Sequence, residues 1–301
     1  MYDIIIIGAG PAGLTAAIYA RRASKSVLVL EASAYGGQII NTPDIENYPV
    51  AAHISGFDFA TKVYNQAVEL GAEFKFEKAT GIEDGGEVKT VRTPRGEYSA
   101  KAVIIATGSE NRKLGAENED KLVGRGVSYC ATCDGAFFRN KDVAVVGGGN
   151  TALEDALYLS DIAKTVYLIH RRGSFRGDAA TAEKLKEKDN VRFVFNSVVK
   201  KLNADARLRS VEVENKQGET SELEVSGLFV AVGRIPETEN FEALAETDSS
   251  GYFASGENCK TKTPGIFAAG DARAKEVRQL VTATADGAVA ATEAIKYITN
   301  R

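Results

Sequence analysis

Cysteine and histidine are scarce in this chain of 301 residues, which has three of the first and two of the second. So few cysteines exclude a disulfide scaffold and fit a reducing cytoplasm. Positive charge is not in excess either, because the formal net charge is −4, so we expect no nucleic acid or anionic membrane partner. No apolar run approaches the ~20 residues of a membrane span, and Ile4 to Ile7 is too short for a signal peptide. We therefore expect a cytoplasmic globular protein of about two domains.

Two of the three cysteines, Cys130 and Cys133, stand two residues apart, and Asp134 follows them directly. Thiols at this spacing commonly have lowered pKa values, which favours the reactive thiolate. The adjacent carboxyl group is suited to move the protons that thiol exchange requires. The alternative is half of a zinc site, which needs about four ligands, but Cys259 and the two histidines are not in paired spacing. A redox-active dithiol is favoured.

A nucleotide-binding pattern opens the chain. The short strand Ile4 to Ile7 runs into a G-x-G-x-x-G turn and an Ala-rich helix, and the next strand ends at Glu31. In a dinucleotide fold the glycines permit a tight turn, approach of a pyrophosphate and close helix packing, while the acid binds a ribose. The helix N-terminus adds a partial positive charge that faces the phosphates. The residues predicted for this turn are Gly8, Gly10, Pro11, Ala12 and Gly13.

The same arrangement recurs after the dithiol. A strand from Val143 to Val146 leads into a second glycine turn with Ala152 in the third glycine position, then a helix and a further strand. Where the first unit has a carboxylate, this one has a cluster of arginines, and guanidinium groups match a 2′-phosphate. We therefore predict a site that prefers NADPH to NADH. Its predicted residues are Gly147, Gly149, Asn150, Thr151, His170, Arg171, Arg172 and Arg176.

In combination these motifs resemble the low-molecular-weight thioredoxin reductases, class II of the pyridine nucleotide-disulfide oxidoreductases. The resemblance covers nearly the whole chain. It implies an α/β fold with two Rossmann-like dinucleotide-binding domains (three-layer ββα), in which an NADPH domain is inserted into a discontinuous FAD domain. The implied boundaries are 1–112 and 240–301 for the FAD-binding domain and 113–239 for the NADPH-binding domain that carries the C-x-x-C.

The resemblance also implies cofactors, partners and roles. Electrons would pass from NADPH to FAD, then to a Cys130–Cys133 disulfide and finally to the protein substrate thioredoxin, within a homodimer. Cys133 would lie nearer the flavin, Cys130 would attack the partner's disulfide, and Asp134 would supply the proton. The further FAD-binding residues carried over are Gly37, Gln38, Asn47, Ala106, Thr107, Gly108, Gly270, Asp271, Arg278, Gln279 and Leu280.

Three alternatives remain: a flavin-dependent dithiol oxidase, a ferredoxin-dependent flavin thioredoxin reductase of the same fold, and a non-enzymatic NADPH-sensing module. The arginine cluster and the second glycine turn disfavour the first two. The dithiol beside an acid disfavours the third, because such groups tend to mark chemistry. Since nicotinamide and disulfide must both reach one flavin, we expect the inserted domain to swing about crossings near 110–118 and 235–245.

Overall fold

A computed structural model describes residues 1–42, 44–51 and 53–300. The chain divides into two compact units: Met1–Glu110 together with the chain from Ile235 onward, and Asn111–Arg234. The second unit is therefore an insertion within the first. The divisions fall slightly before the predicted boundaries, which lie after residues 112 and 239.

The described residues include seventeen strands and seven α-helices. The strands are β1 (Tyr2–Ile7), β2 (Val27–Glu31), β3 (Glu73–Phe76), β4 (Gly81–Gly85), β5 (Val88–Thr93), β6 (Gly96–Ile105), β7 (Ser109–Asn111), β8 (Val127–Ser128), β9 (Asp142–Gly147), β10 (Thr165–His170), β11 (Val191–Phe195), β12 (Ser197–Ala204), β13 (Leu208–Asn215), β14 (Thr220–Glu224), β15 (Gly227–Ala231), β16 (Arg234–Pro236) and β17 (Ile266–Ala268). The helices are α1 (Pro11–Arg22), α2 (Gly56–Glu69), α3 (Glu119–Leu122), α4 (Ala131–Asp134), α5 (Asn150–Ser160), α6 (Ala179–Lys186) and α7 (Leu280–Thr299).

The first unit is built on parallel strands in the order β3-β2-β1-β6, with β17 paired to the other side of β6 along its second half. The first half of β6 pairs antiparallel with β5, which pairs with β4. Alternate residues of β1 enter different cores. Ile4 and Ile6 pack with residues of α1 and α7, whereas Ile5 and Ile7 pack with Phe253 and residues of β5. This burial on both faces explains the uninterrupted apolar run.

The second unit repeats the plan. Its parallel sheet has the order β11-β10-β9-β15-β8, and β12, β13 and β14 form an antiparallel sheet. One core lies between the parallel sheet and the helices α5 and α6, and another lies between the two sheets. Each unit is thus a three-layer ββα domain, which confirms the predicted fold class.

The chain enters and leaves the second unit through β7 and β16, which pair with each other. Their ends are joined by further backbone bonds, from Arg112 N–H to Gly233 O and from Glu237 N–H to Gly108 O. A search of the described helices finds none that is both long and apolar enough to cross a bilayer.

Candidate active site

The first glycine turn joins β1 to α1. Gly8 has a φ of +104°, and a Cβ there would lie 2.4 Å from the Ala106 carbonyl oxygen, so only glycine fits. A Cβ on Gly13 would come within 1.9 Å of the Gly8 carbonyl oxygen. At Gly10, in contrast, the nearest atom is the Cα of Gly37, 3.9 Å away. The turn therefore has no room for a side chain at Gly8 or Gly13, but it is open at Gly10, the position predicted to approach a pyrophosphate.

Side-chain capping distinguishes the helices that follow the two glycine turns from the other long helices. Ser55 caps α2, Asp178 caps α6, and Gln279 caps α7 as part of a capping box. Helices α1 and α5 begin after Gly10 and Gly149 with no side-chain cap and no acidic residue in the first turn. Since the first N–H groups of a helix need acceptors, such glycine N-termini suit phosphate oxygens. Both turns fit the phosphates of a dinucleotide.

Other predicted residues meet the first turn where the parallel strands end. Glu31, the last residue of β2, accepts hydrogen bonds from Ala9 N–H at 2.7 Å and from Ser33 N–H at 3.0 Å. The segment 106–108 follows β6, the neighbour of β1. Gly270 follows β17, and a Cβ there would lie 2.8 Å from the Cβ of Ala12. The carboxyl ends of parallel strands are where such folds bind nucleotides.

The remaining residues predicted for this site lie at the N-terminus of α7 and beside it. Asn47 Nδ2 donates to Gln279 Oε1 at 3.2 Å, directly before Leu280, the first helical residue. The Arg278 guanidinium lies 3.9 Å above the Tyr252 ring. The structure therefore brings Asn47, from a distant part of the sequence, to the helix end that carries Gln279 and Leu280, which were also predicted to bind FAD.

Three more predicted residues are placed individually. Gln38 is exposed in the 3₁₀ turn Gly37–Asn41. Thr107 Oγ1 donates to the Glu237 carbonyl oxygen at 2.6 Å. Asp271 Oδ1 lies 3.4 Å from Lys275 Nζ, so a cation accompanies this carboxylate, which was predicted to bind FAD.

The second glycine turn closes against its own sheet and rests on His170. A Cβ on Gly147 would lie 2.4 Å from the Ala231 carbonyl oxygen, and one on Gly148 would lie 2.2 Å from the imidazole ring. His170 is 6% exposed, and burial, reinforced by neighbouring arginines, lowers its pKa from the ordinary value of 6.5. The ring is therefore neutral at pH 7, and the positive charge of this site comes from the arginines.

The arginine cluster (Arg171, Arg172 and Arg176) lies in the loop after β10, with all three side chains exposed. The loop folds back over the glycine turn, since Arg176 N–H donates to Gly148 O at 2.7 Å and the Asp178 N–H donates to Asn150 Oδ1 at 2.9 Å. In the part of the chain that the structure describes, none of these guanidinium groups forms a salt bridge. Three unneutralised cations beside an uncapped helix fit a phosphorylated ribose.

The dithiol lies in the second unit, where β8 leads into the short helix α4. Cys130 and Cys133 form a disulfide, and the Thr132 hydroxyl lies 3.5 Å from Cys130 Sγ. The turn is anchored on α5, because a Cβ on Gly135 would lie 2.9 Å from the Tyr158 ring. The helix that follows the second glycine turn therefore also supports the disulfide.

Asp134 is partly buried beside the disulfide. Burial raises the pKa of its carboxyl group, and a hydrogen bond from the Ser128 hydroxyl opposes that shift. Among the described residues, the potential metal ligands that come together in threes are Asp44, Glu46 and His53, a group that includes no cysteine. The arrangement supports thiol–disulfide chemistry in which the Asp134 carboxyl group is adjacent in the chain and able to transfer protons.

A model of the family described as pyridine nucleotide-disulphide oxidoreductase matches residues 2–287 of this chain. The chain belongs to the pyridine nucleotide-disulphide oxidoreductase family. Membership of this family implies a flavin and a nicotinamide cofactor, and the two glycine turns fit two such dinucleotides.

Relatives of this family member are named thioredoxin reductase. The protein from Listeria innocua is 45% identical over 99% of this chain and 94% of its own, and that from Bacillus subtilis is 43% identical over 99% and 95%. Among solved structures, a Streptococcus pyogenes thioredoxin reductase (44% identical, covering 100% and 99% of the two chains) matches with a TM-score of 0.96. A Lactococcus lactis thioredoxin reductase in the FR conformation, 41% identical and fully covered on both sides, matches at 0.69.

The sequence did not predict the roles of two residues of this pyridine nucleotide-disulphide oxidoreductase, Ser128 and Asp286. Ser128 bonds to Asp134, and nothing in the pattern singles it out from other serines. Asp286, on α7, pairs with Arg273 and Lys275 behind the Gly270 segment. An available signal was an acid on the buried Ala-rich face of α7, where a charge needs a partner.

Proposed function

We propose that this chain is a thioredoxin reductase that uses NADPH and FAD to reduce the disulfide of thioredoxin through Cys130 and Cys133. The main support for this proposal is the Cys130–Cys133 disulfide, which Asp134 follows directly in the chain. The same unit contains the second glycine turn and the arginine cluster. Relatives at 43–45% identity over 99% of the chain bear the name thioredoxin reductase, which supports this activity.

FAD is the dinucleotide proposed for the first unit. Gly10 and the uncapped start of α1 would hold the pyrophosphate, and Glu31 would accept hydrogen bonds from the ribose. Asp271 would bind the ribityl chain, and Gln279 and Leu280 would place the α7 N-terminus toward the flavin ring. The other proposed contacts are Gly8, Pro11, Ala12, Gly13, Gly37, Gln38, Asn47, Ala106, Thr107, Gly108, Gly270 and Arg278.

NADPH is the dinucleotide proposed for the second unit. The arginine cluster would pair with the 2′-phosphate, which NADH lacks, and the open Gly149 and the start of α5 would hold the pyrophosphate. Gly147, Asn150, Thr151 and His170 would shape this site. When bound, the nicotinamide and the flavin supply the hydride chemistry that delivers two electrons to the disulfide.

Reduction opens the Cys130–Cys133 bond to two thiols. The Cys130 thiolate attacks one sulfur of the thioredoxin disulfide, that bond breaks, and the released sulfur takes a proton from Asp134. The Cys133 thiolate then attacks Cys130, which reforms the enzyme disulfide and releases the second thioredoxin sulfur. The two cysteine protons and two electrons thus leave with reduced thioredoxin.

The same proposal includes a homodimer in the cytoplasm and a rotation of the inserted unit that lets nicotinamide and disulfide take turns at one flavin. Support for rotation comes from chain topology, because the unit that carries the disulfide and the second glycine turn is an insertion joined to the first unit by two crossings. Structures of this protein with NADP⁺ and with trapped thioredoxin should then differ by a large rigid rotation. Superposable structures would refute it.

Steady-state turnover with thioredoxin tests the activity. NADPH oxidation should require thioredoxin, and Cys130→Ser should abolish it while NADPH still bleaches the flavin. If oxygen is consumed in place of thioredoxin, or if only reduced ferredoxin supports turnover, the activity is a different one. Flavin bleaching that is lost together with turnover would contradict the role of Cys130.

A further inference from the structure

Ser128 stands between the dithiol and its acid. It is the last residue of β8, at the carboxyl end of a parallel strand, and it is 4% exposed. Its Oγ accepts a hydrogen bond from the Cys130 backbone N–H at 3.1 Å and donates to Asp134 Oδ2 at 2.6 Å. A second acceptor, the Cys130 carbonyl oxygen, is farther away at 3.3 Å. One buried hydroxyl therefore connects the backbone of the dithiol to one oxygen of the carboxyl group.

The two oxygens of Asp134 have different environments. Oδ2 is held by Ser128, whereas Oδ1 is buried and has no hydrogen-bond partner among the residues the structure describes. Burying a carboxyl oxygen without a hydrogen-bond partner destabilises the folded state, so such an oxygen is expected to have a functional role. The backbone N–H of Asp134 also donates to Cys130 O at 3.1 Å, which fixes the backbone of Asp134 within the dithiol turn.

We infer that Ser128 is a positioning residue for disulfide exchange, which holds Asp134 through Oδ2 so that Oδ1 carries the transferred proton. This inference rests on the proposed function. In the exchange described above, Oδ1 gives its proton to the sulfur released from thioredoxin and regains one from a cysteine thiol, so that protons balance over the cycle. Ser128 itself neither gains nor loses a proton.

Ser128 is the one neighbouring group, among the described residues, that opposes the effect of burial on the pKa of Asp134. Burial raises the pKa of Asp134 and the Ser128 hydrogen bond lowers it, with no charged group contributing. Helix α5, which packs on the dithiol turn, carries Asp155, whose pKa is raised to about 7 chiefly by burial. Glu119, the first residue of α3, accepts a hydrogen bond from the Tyr129 hydroxyl at 2.6 Å. Removal of the Ser128 hydroxyl should therefore raise the pKa of Asp134 further.

The experiment is the pH dependence of the reaction between pre-reduced holoenzyme and thioredoxin disulfide, which avoids NADPH binding. Asp134→Asn identifies the limb of the profile that reports Asp134 and should slow exchange roughly 10²-fold. Ser128→Ala should move that limb to higher pH and slow exchange at pH 7 roughly ten-fold, as expected for a lost hydrogen bond to a charged group. Ser128→Thr keeps a hydroxyl and should restore both.

Two controls separate this role from a structural one. Ser160 is another buried serine of the same unit, and its hydroxyl donates to Leu157 O within α5, so Ser160→Ala should leave the profile unchanged. Asp155→Asn shows which part of the profile near pH 7 belongs to Asp155. A Ser128→Ala profile that superposes on the wild type, or a Ser128→Thr variant as impaired as Ser128→Ala, would overturn the inference. If the wild type reduces no thioredoxin, the proposed function fails instead.

Discussion

Asp286 is the centre of a buried ion cluster behind the Gly270 segment. Its carboxylate accepts two hydrogen bonds from the Arg273 guanidinium at 2.9 and 3.2 Å, one from Lys275 Nζ at 3.1 Å and one from Gly270 N–H at 3.0 Å. The side chains of Asp286, Arg273 and Lys275 are only 10%, 5% and 7% exposed. The cluster therefore holds two cations away from water, and Asp286 is the carboxylate that lies nearest to both of them.

We predict that Asp286→Asn destabilises the first unit strongly, although it preserves the size of the side chain. The remaining anionic partner would be Asp271 for Lys275, at 3.4 Å, and the exposed Glu257 for Arg273, at 3.9 Å. Arg273 would also keep its hydrogen bonds to the neutral carbonyl oxygens of Ser255 and Gly256. Removal of one partner from a buried pair costs about 3–5 kcal/mol. At about 2–4 °C per kcal/mol for a domain of 150–250 residues, the unfolding midpoint should fall by roughly 6–20 °C.

The assay is thermal unfolding of the holoenzyme, followed by circular dichroism and by flavin release. A matched control is Glu183→Gln, which breaks an exposed pair with Lys186 whose side chains are 66% and 57% exposed. Such pairs contribute about 0–1 kcal/mol, so the midpoint should change little. Adding Lys275→Met to Asp286→Asn should recover part of the loss, because it removes an uncompensated charge. An Asp286→Asn midpoint equal to that of the control would refute the reasoning.

Three other predictions concern the cofactor sites. Gly10→Ala should fold but lose flavin, because the protein has room for the new methyl group, which would occupy the place of the pyrophosphate. Gly13→Ala should lose both the fold and the flavin, because its methyl group would collide with the Gly8 carbonyl oxygen. Replacing Arg171 and Arg172 by Ala should raise the KM for NADPH far more than that for NADH. The pKa of His170 is lowered in the folded protein, so its contribution to stability is full above its ordinary pKa of 6.5 and is lost as the pH falls below that value. His170→Asn should therefore remove this part of the pH dependence of the free energy of unfolding, measured from pH 5 to 8.

Each of these has a clear contrary result. Flavin retained by Gly10→Ala, measured by absorbance after gel filtration, would mean that the first turn does not hold the pyrophosphate. Equal increases in KM for both nicotinamides would mean that the arginine cluster is only solvated charge. An unchanged pH dependence in His170→Asn would mean that the buried imidazole titrates normally.

The parallel strands and glycine turns were predictable because they depend on local chemistry. The run Ile4 to Ile7 is buried on both faces, and Gly8 and Gly13 stand where any Cβ would collide with backbone. Such patterns can be read without knowing what packs nearby. The fold class and both turns could therefore be predicted from the sequence.

Features that depend on tertiary neighbours could not be predicted. The stretch predicted as a crossing near 110–118 is followed by Glu119, which is 3% exposed and accepts hydrogen bonds from the N–H groups of Leu114 and Gly115. Ser128 and Asp286 gain their importance from residues that only the folded chain brings to them. Polarity alone does not distinguish a solvated residue from one that is buried and satisfied.

The central claim is that electrons from NADPH reach the Cys130–Cys133 disulfide through a bound flavin. Anaerobic titration of the purified protein with NADPH, followed by alkylation and mass spectrometry, tests this most directly. We predict a yellow protein that bleaches and then carries label on Cys130 and Cys133, but not on the buried Cys259, whose pKa is raised to about 12 chiefly by burial. A colourless protein, or a disulfide that stays closed under excess NADPH, would contradict the account.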